Sequence, residues 1–246
     1  MEEEKQAKVE TGIRQNLAEV ERRICQACER AGRRREEVTL IAVSKTKPLE
    51  AIEEAIRCDI HTFGENRVQE LMEKQEAISV GKVPLNWHMI GHLQSNKVKY
   101  IIGKTALIHS VDSLHLAKVI EQESAKRECS TRILMEINIA GEESKFGVSP
   151  EEAVHLAMEI DKFPHIQLCG LMTVAPFTQD PEENRKYFCK MRKLLIDIVS
   201  KTPHNSNMGV LSMGMTGDYE VAIEEGATCI RVGTGIFGSR TYPETT

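Results

Sequence analysis

One lysine of this sequence stands where its amine could act as a nucleophile. Lys45 directly follows a β-rich apolar run at residues 39–44, so its side chain is expected to emerge at the end of a buried strand. Apolar surroundings favour the neutral amine over the ammonium ion, and a neutral lysine amine attacks aldehydes. On its own, a lysine in this setting is more typical of an ordinary loop residue beside a helix start. Its chemistry therefore depends on which other residues stand near it.

Two glycine-bearing turns late in the chain could bind a phosphate group. They cover residues 212–218 and 231–238, and each carries Ser or Thr hydroxyls beside its glycines. Glycine lets backbone N–H groups approach phosphate oxygens closely. Either turn alone is more typical of a tight connection, but two such turns after the last two strands are typical of the phosphate site of an α/β barrel. A phosphate site near a nucleophilic lysine predicts a phosphorylated aldehyde as the ligand.

Eight short apolar runs rich in β-forming residues alternate with polar stretches of helical periodicity. The predicted strands cover residues 38–44, 60–64, 86–91, 107–111, 132–139, 166–174, 209–213 and 229–232. The predicted helices cover residues 49–57, 67–78, 114–127, 150–162, 181–201 and 219–225, with an extra N-terminal helix near residues 9–30. Strict alternation predicts a parallel sheet, because a helix is the usual crossover between parallel strands.

Eight such units predict the α/β class and a single (β/α)₈ barrel of the TIM type. The alternative is a doubly wound open sheet, which has a glycine-rich turn after its first strand when it binds a dinucleotide. Residues 44–48 contain no glycine, so the barrel is favoured. No Pro, Gly or Ser-rich linker and no internal repeat divides the chain. We therefore expect one domain over residues 1–246, with an N-terminal helix at residues 1–35 packed on the barrel.

The predicted carboxyl ends of the strands are polar, and in barrels these ends form the active site. We expect the side chains at these positions to share one mouth. They are Lys45 on the first strand, Glu65 and Asn66 on the second, His88 and His92 on the third, Asn138 on the fifth, Ser212 and Thr216 on the seventh, and Arg231 and Thr234 on the eighth.

The net charge and the cysteine content of the sequence indicate which binding partners and which cellular compartment to expect. The formal net charge is -5, with 32 Lys and Arg against 37 Asp and Glu, so nucleic acid is not expected as a partner. The chain starts with an acidic, polar segment and has no apolar stretch near the ~18 residues that span a bilayer. Neither a signal peptide nor a membrane partner is expected. The 7 cysteines, an odd number, are typical of a reducing compartment, and we expect a cytoplasmic protein.

Two residue pairs have a spacing that metal sites also use, but neither predicts a metal. Cys25 and Cys28 have zinc or redox spacing, yet no second pair stands at a matching distance and the segment has helical periodicity. His88 and His92 are four residues apart but straddle a strand end and Gly91, which disfavours a zinc pair. No metal site is therefore expected.

Two charged residues near the strand ends are given structural roles. Asp218 is expected to cap the short helix that follows the turn at residues 212–216. Lys145 is interpreted as a solvated loop residue near the mouth.

Several segments resemble one known family along nearly the whole chain and in the same order. The sequence is similar to the YggS/PROSC family of pyridoxal phosphate homeostasis proteins. The segments that carry the resemblance are Ala-Val-Ser-Lys-Thr-Lys-Pro at 42–48, Phe-Gly-Glu-Asn at 63–66, Val-Gln-Glu at 68–70, Trp-His-Met-Ile-Gly-His-Leu-Gln-Ser-Asn-Lys at 87–97, Asn-Ile-Ala-Gly-Glu-Glu-Ser-Lys at 138–145, Gly-Leu-Met-Thr-Val-Ala-Pro at 170–176, Leu-Ser-Met-Gly-Met-Thr at 211–216 and Arg-Val-Gly-Thr at 231–234. The sequence departs from the family at Arg67, where an aromatic residue is common, and at Thr216, where Ser is usual.

The resemblance implies a fold-type III barrel related to the N-terminal domain of alanine racemases, with pyridoxal 5′-phosphate (PLP) as cofactor. It implies a Schiff base between the PLP aldehyde and Lys45. The other implied cofactor-binding residues are Met215, Thr216, Gly233 and Thr234 around the phosphate with Ser212 nearby, Arg231 near the pyridine nitrogen, and Asn66 and His88 near the lysine end. No catalytic residue is expected.

Three functions are compatible with these residues. The family implies a PLP-binding protein involved in intracellular vitamin B6 and amino-acid homeostasis without substantial catalysis, with PLP-dependent apoenzymes as further partners and a monomeric state. The alternative is a PLP-dependent amino-acid racemase, which needs a second base that alanine racemases supply from a C-terminal domain not expected here. A phosphate-binding barrel enzyme without PLP would leave the segment around Lys45 unexplained.

Overall fold

A computed structural model describes residues 2–78, 84–202 and 208–238, with side chains from Gly12 onward. Eight strands, each parallel to its neighbours, close into a barrel in the order β1 to β8, and β8 pairs with β1. The strands are β1 (Thr39–Val43), β2 (Thr62–Glu65), β3 (Asn86–Met89), β4 (Leu107–Val111), β5 (Thr131–Glu136), β6 (Ile166–Met172), β7 (Val210–Met215) and β8 (Cys229–Val232). The closed sheet confirms the (β/α)₈ barrel and excludes the doubly wound sheet.

The helices lie between the strands and at the start of the chain. They are α1 (Glu2–Arg30), α2 (Leu49–Arg57), α3 (Val68–Ile78), α4 (Val98–Ile101), α5 (Leu114–Lys126), α6 (Pro150–Ile160), α7 (Arg185–Val199), α8 (Tyr219–Glu224) and α9 (Thr234–Phe237). Helix α7 begins later than predicted because Pro181–Asn184 form a 3-10 turn instead. The short helices α4 and α9 were not predicted, since one turn shows no periodicity.

Local capping fixes where the helices begin. Ser149 accepts a hydrogen bond from the backbone N–H of Glu152, whose carboxylate accepts from the N–H of Ser149, and Pro150 occupies the first turn of α6. This reciprocal pair satisfies two backbone donors that the helix itself leaves open. Ser113 caps α5 through a single hydrogen bond that its hydroxyl oxygen accepts from the N–H of Leu116. The loops between strand and helix therefore end at defined positions.

Apolar side chains pack on both sides of the barrel wall, and a polar layer crosses the barrel interior. The large core cluster joins the strands to the surrounding helices, and a second small cluster contains Leu107, Leu134, Cys169 and Met172. His109, two residues after Leu107 on β4, hydrogen-bonds Ser212 on β7. Strands β4 and β7 are not neighbours in the sheet, so these side chains meet through the barrel interior. Because alternate residues of a strand share a face, Leu107 also points inward, and a polar layer lies above the small apolar cluster.

Helix α1 packs on one side of the barrel, against α2, α8 and α9. Its buried face repeats at helical spacing, from Ile13 through Leu17, Val20 and Ile24 to Cys28. Burial raises the pKa of the Cys28 thiol, which disfavours the thiolate that a redox pair would need. All seven cysteines lie in the described segments and are free. Across the described ranges, no helix has the length and apolarity that crossing a bilayer requires.

Candidate functional site

Lys45 lies directly after β1, at the carboxyl end of the barrel, and is half-buried. The preceding side chain, Ser44, points out of the barrel, because its hydroxyl donates to Glu65 Oε1 at 2.7 Å and Glu65 also contacts Lys74 of α3. Lys45 begins the turn that follows, in which the N–H of Lys47 donates to the Ser44 carbonyl. Lys45 therefore lies at the mouth of the barrel.

A buried lysine behind β1 holds the loop that carries Lys45. Lys74 Nζ donates to the Ser44 carbonyl, to Glu65 Oε1 and to Glu70 Oε1, each at 2.7 Å. Glu70 Oε1 also accepts from the N–H of Thr46 at 2.5 Å, and Thr46 has a left-handed φ of 63°. Burial raises the pKa of Glu65, although its hydrogen bond with Lys74 opposes the shift. We call Ser44, Glu65, Glu70 and Lys74 the lysine clamp, and it fixes the backbone on both sides of Lys45.

Asn66 follows β2 at the same level as Lys45. The β1–β2 register pairs Val43 with Gly64, and Lys45 and Asn66 each lie two residues further on. Asn66 Oδ1 is buried without a hydrogen-bond partner. A Cβ at Gly91 would lie 2.4 Å from the Asn66 carbonyl oxygen, so only glycine lets the two loops pack here. Asn66 is thus held beside the lysine end of the mouth with an open acceptor.

Four buried side chains form a continuous hydrogen-bonded chain across the barrel interior, which we call the polar relay. His88 Nδ1 lies 2.9 Å from His109 Nε2, and His109 Nδ1 lies 2.9 Å from Ser212 Oγ. Arg231 Nη1 donates to Ser212 Oγ at 2.6 Å, and Arg231 Nη2 donates to the Thr173 carbonyl at 2.8 Å. The relay joins β3, β4, β7 and β8. It brings together three of the predicted site residues, His88, Ser212 and Arg231.

Burial sets the protonation of this interior. It lowers the pKa of His88 to about 4, helped by the charge of Arg132, and lowers that of His109 well below its ordinary value. Both imidazoles are therefore neutral at neutral pH. Glu136, the last residue of β5, has its pKa raised to about 7 by burial and by the Asp112 carboxylate, against the opposing charge of Arg231. One carboxyl group of the interior thus titrates near neutrality.

The two glycine-bearing turns contact each other and the end of β1. Thr216 Oγ1 accepts from the N–H of Gly235 at 3.3 Å. A Cβ at Gly233 would lie 3.4 Å from the Val43 Cβ and carbonyl oxygen, and one at Gly235 would lie 2.9 Å from Val232 Cγ1. Gly235 therefore has no room for a Cβ, and Gly233 lies beside the end of β1. The phosphate turns and Lys45 belong to one mouth, because Val43 precedes Lys45 by two residues.

Asp218 does not cap α8 with its side chain, contrary to prediction. It occupies the N-cap position, but its Oδ1 accepts from the N–H of Met215 at 2.7 Å and its Oδ2 from Asn184 Nδ2 at 2.8 Å. The carboxylate closes the turn after β7 and ties it to the segment before α7. The N–H of Met215 is consequently used within the turn, while the Met215 side chain is 40% exposed at the mouth.

The loops around the mouth are ordered by two further contacts. The His92 ring stacks on Phe146 with centroids 3.9 Å apart, and His92 Nδ1 lies 3.5 Å from Asp112 Oδ2. His92 and His88 thus have separate partners. Lys145 Nζ donates to Glu142 Oε1 at 2.6 Å and to the Ala175 carbonyl at 3.1 Å. Lys145 therefore joins the loops after β5 and β6, and its interpretation as a solvated loop residue was wrong.

Three residues of the site and its surroundings were not predicted from the sequence. His109 and Glu136 lie inside predicted strands, and Lys74 lies in a predicted helix. Each is a polar residue within an apolar pattern: His109 follows Leu107 and Ile108 of β4, Glu136 follows the apolar residues 133–135 of β5, and Lys74 lies on the face of α3 that also buries Val68 and Leu71. A buried polar residue needs a partner, so such positions can be searched for in a sequence.

The residues of the mouth fit a phosphorylated aldehyde. In the described part of the chain, Asn66 Oδ1 and Glu136 Oε2 are buried at strand ends without hydrogen-bond partners, which is the state expected of groups that meet a polar ligand. Lys45 supplies an amine, Arg231 a buried cation, and the turn from Gly233 to Gly235 a cradle in which a Cβ at Gly235 would lie 2.9 Å from Val232 Cγ1. No group of three or more His, Cys, Asp or Glu residues in the described segments could hold a metal ion.

Comparison with known proteins gives the class of this barrel. The family model of the alanine racemase N-terminal domain matches residues 15–241. An alanine racemase of Clostridium difficile 630 superposes with a TM-score of 0.72 at 16% identity, covering 96% of this chain and 59% of the racemase. At that identity the likeness shows the fold alone. The chain is therefore a barrel of the alanine racemase N-terminal-domain class.

Proteins with higher sequence identity to this chain show which family within this class it belongs to. A pyridoxal phosphate homeostasis protein of Aquifex aeolicus (strain VF5) is 45% identical over 228 residues, covering 93% of this chain and 98% of the relative. The structure of PipY from Synechococcus elongatus PCC7942, with PLP bound, superposes with a TM-score of 0.80 at 33% identity, covering 92% of this chain and all of PipY. This chain belongs to the family of pyridoxal phosphate homeostasis proteins.

Replacing Glu136 with Gln is expected to change how stability depends on pH. Because folding raises the pKa of Glu136 to about 7, the folded state binds more protons than the unfolded state between about pH 4.5 and pH 7. The free energy of unfolding of the original protein should fall over that window relative to Glu136→Gln, by on the order of 3 kcal/mol, and the difference should then stay constant. Urea unfolding of the ligand-free protein at a series of pH values measures it.

The control is Glu143→Gln, which removes an exposed carboxyl from the loop after β5. Its unfolding free energy should follow that of the original protein throughout. A Glu136→Gln curve parallel to that of the original protein would contradict the raised pKa.

Proposed function

We propose that this chain binds PLP at the barrel mouth, as a Schiff base on Lys45, and takes part in intracellular PLP and amino-acid homeostasis without substantial catalysis. PLP supplies an aldehyde that condenses with an amine, and here the amine is Lys45 Nζ. The observation that carries the proposal is the position of Gly233 beside Val43, which follows from the pairing of Ala42 with Val232 and puts the glycine turns and Lys45 in one mouth. The names of the relatives and the PLP in PipY support it.

The two glycine turns bind the phosphate in this proposal. Thr216 is half-buried and Thr234 is exposed at the start of α9, so both hydroxyls can reach a ligand at the mouth. Gly233 lets the backbone approach. Met215 contributes its exposed side chain as a wall rather than its N–H, which Asp218 already binds.

The interior residues hold the ring. Arg231 faces the pyridine nitrogen, and Ser212 orients Arg231 through their 2.6 Å hydrogen bond. Arg231 keeps its protons at that position, which disfavours a second positive charge on the nitrogen and weakens the ring as an electron sink. Asn66 and His88 bind at the lysine end, where Asn66 Oδ1 still has an open acceptor.

This arrangement favours a carrier over a racemase. A two-base racemase needs one acid or base on each face of the substrate. Burial lowers the pKa values of the two interior histidines, which are hydrogen-bonded to each other, so neither readily takes up a proton near neutral pH. Glu136 is the interior carboxyl whose pKa is raised to about 7, and it is the group to test for residual proton transfer.

We also infer the oligomeric state, the compartment and the partners of the protein. The protein acts as a monomeric single domain over residues 1–246 in the cytoplasm, a location that its seven free cysteines support. PLP-dependent apoenzymes are the partners that such a carrier would serve. Nucleic acid and membranes are not partners in this proposal, in keeping with the net charge of -5.

Borohydride reduction in the presence of PLP is expected to attach the cofactor to Lys45 alone. The protein with PLP should show a visible absorption band, and mass mapping after reduction should find the label on the peptide that contains Lys45. Lys45→Ala should lose both signals and keep its unfolding free energy, because a residue of the mouth contributes little to the core. Lys47→Arg, two residues away in the same loop, is the control and should keep them. A label on a different lysine would refute the assignment.

The double variant Thr216→Ala, Thr234→Ala is expected to weaken PLP binding without preventing the Lys45 label at saturating PLP. Each lost hydrogen bond to a charged group should cost roughly 1.5–3 kcal/mol, so the dissociation constant should rise by about two orders of magnitude or more. Fluorescence or absorption titration measures it. Thr178→Ala, which removes a hydroxyl bonded to Asp180 and Glu183, should bind PLP normally. An unchanged constant in the double variant would show that the phosphate binds elsewhere.

The PLP-loaded protein is expected to exchange the α-protons of amino acids no faster than free PLP does. Incubation with several L-amino acids in deuterated water, followed by NMR and chiral chromatography, measures exchange and racemisation. Rapid exchange that depends on Lys45, on the order of 1 per second or faster, would exclude the carrier function. The same assay with Glu136→Gln would then show whether that carboxyl carries the proton.

A further inference from the structure

The hydrogen bonds of the polar relay run in one donor-to-acceptor direction. Arg231, the end member that can only donate, determines this direction. A guanidinium group has only donors, so Ser212 Oγ must accept from Arg231 Nη1. The Ser212 hydroxyl hydrogen is then available for its other neighbour, His109 Nδ1. If His109 Nδ1 accepts this hydrogen, the single proton of the neutral His109 ring lies on Nε2. His109 Nε2 then donates to His88 Nδ1, which leaves the proton of His88 on its own Nε2.

The reverse order is possible on distances alone but leaves a hydrogen unpaired. In that order His109 Nδ1 would donate to Ser212 Oγ, and Ser212 would accept from Arg231 as well. The Ser212 hydroxyl hydrogen would then have no acceptor among the hydrogen bonds of the described residues, although Ser212 is fully buried. Buried hydroxyl groups are rarely left unpaired, because desolvation without a new hydrogen bond is costly. The forward order pairs the Ser212 hydroxyl hydrogen and places the open N–H on Nε2 of His88, at the outer end of the relay.

We propose that His109 is a positioning residue that transmits the donor character of Arg231 to His88, so that His88 is held as the neutral tautomer with its proton on Nε2. Among the hydrogen bonds of the described residues, none involves Nε2 of His88, which leaves that N–H as the outer end of the relay. The N–H gives His88 a specificity-determining role, because the ligand atom that meets it must be a hydrogen-bond acceptor such as an oxygen.

The two orders have opposite consequences for the site. In the forward order His88 donates a hydrogen bond and cannot take up a proton at Nε2, whereas in the reverse order Nε2 would be a free base. The forward order therefore binds a ligand oxygen and removes one possible base from the interior. The tautomer itself is a property of the ligand-free protein, while the role of His88 towards a ligand rests on the proposed function.

Two-bond ¹H–¹⁵N correlation spectra of the ¹⁵N-labelled, ligand-free protein at about pH 7.5 test the tautomer, with His88→Gln and His109→Gln used to assign the signals. Both rings should be neutral with the proton on Nε2. Ser212→Ala should give averaged nitrogen shifts in both rings, since the hydrogen that orders them is gone. Ser110→Ala is the matched control, because Ser110 is a buried serine of β4 whose hydroxyl has no partner, and it should leave both tautomers unchanged.

Two variants of His109 distinguish its proposed positioning of His88 from a role in packing alone. His109→Gln can still accept from Ser212 through its oxygen and donate to His88 through its nitrogen, so His88 should keep its proton on Nε2. His109→Leu fills similar space without these bonds, and the His88 tautomer should become mixed. A proton on Nδ1 of His88 in the original protein, or an unchanged tautomer in both Ser212→Ala and His109→Leu, would overturn the proposal. If His109→Leu does not fold, Ser212→Ala alone decides.

PLP titration then tests the role of His88 towards the ligand. His109→Leu should bind PLP about tenfold more weakly than His109→Gln, which corresponds to about 1.4 kcal/mol. Equal affinities would show that His88 does not bind the ligand and would overturn its specificity role. A failure of the Lys45 labelling experiment would instead refute PLP binding and leave the tautomer result unaffected.

Discussion

The positive charge of Arg231 inside the barrel is the interaction on which the rest of the interior depends. Arg231 is only 4% exposed, and a guanidinium buried without acceptors is strongly unfavourable. Because it has only donors, each neighbour has to offer an oxygen, which Ser212 and the Thr173 carbonyl do. Once Ser212 accepts from Arg231, its own hydrogen goes to His109, and His109 in turn orders His88. One buried cation thus determines the polarity of side chains on β3, β4 and β7.

A second buried cation does similar work outside the barrel wall. Lys74 satisfies its ammonium group with the Ser44 carbonyl and two carboxylates, and this holds the backbone beside Lys45. A buried ion pair adds little net stability compared with apolar packing, but losing one partner is costly. The lysine clamp therefore acts mainly by positioning the backbone. It holds the loop after β1 in one conformation, in which Thr46 is left-handed. Lys45 therefore emerges from a backbone that Lys74 and Glu70 hold on either side.

Sequence predicted the barrel well because each strand and helix carries its own local pattern. Strands β4 and β8 and helix α2 have the predicted bounds, and Lys45 and Asn66 follow β1 and β2 as predicted, whereas Ser212 and Arg231 lie within β7 and β8 and point into the interior. His109 was missed because its partner Ser212 is 103 residues away in the chain, and no local period reports a contact across a barrel. Asp218 was misassigned for a similar reason. Its position is that of a cap, but its carboxylate turns to Met215 and to Asn184 of another segment.

The same burial that orders the barrel determines what the mouth can do with a bound molecule. The donors of Arg231 and Lys74 are hydrogen-bonded to protein oxygens, so neither side chain can move towards a ligand without leaving a buried oxygen unsatisfied. Donors fixed in this way select a ligand by where its acceptor atoms lie, whereas proton transfer needs groups that change protonation state near neutral pH. Burial holds the pKa values of His88 and His109 far below that range, and Glu136 is a carboxyl that it moves into the range. A mouth built around fixed donors is suited to holding a phosphorylated ring in place, which is the physical basis of the proposed carrier function.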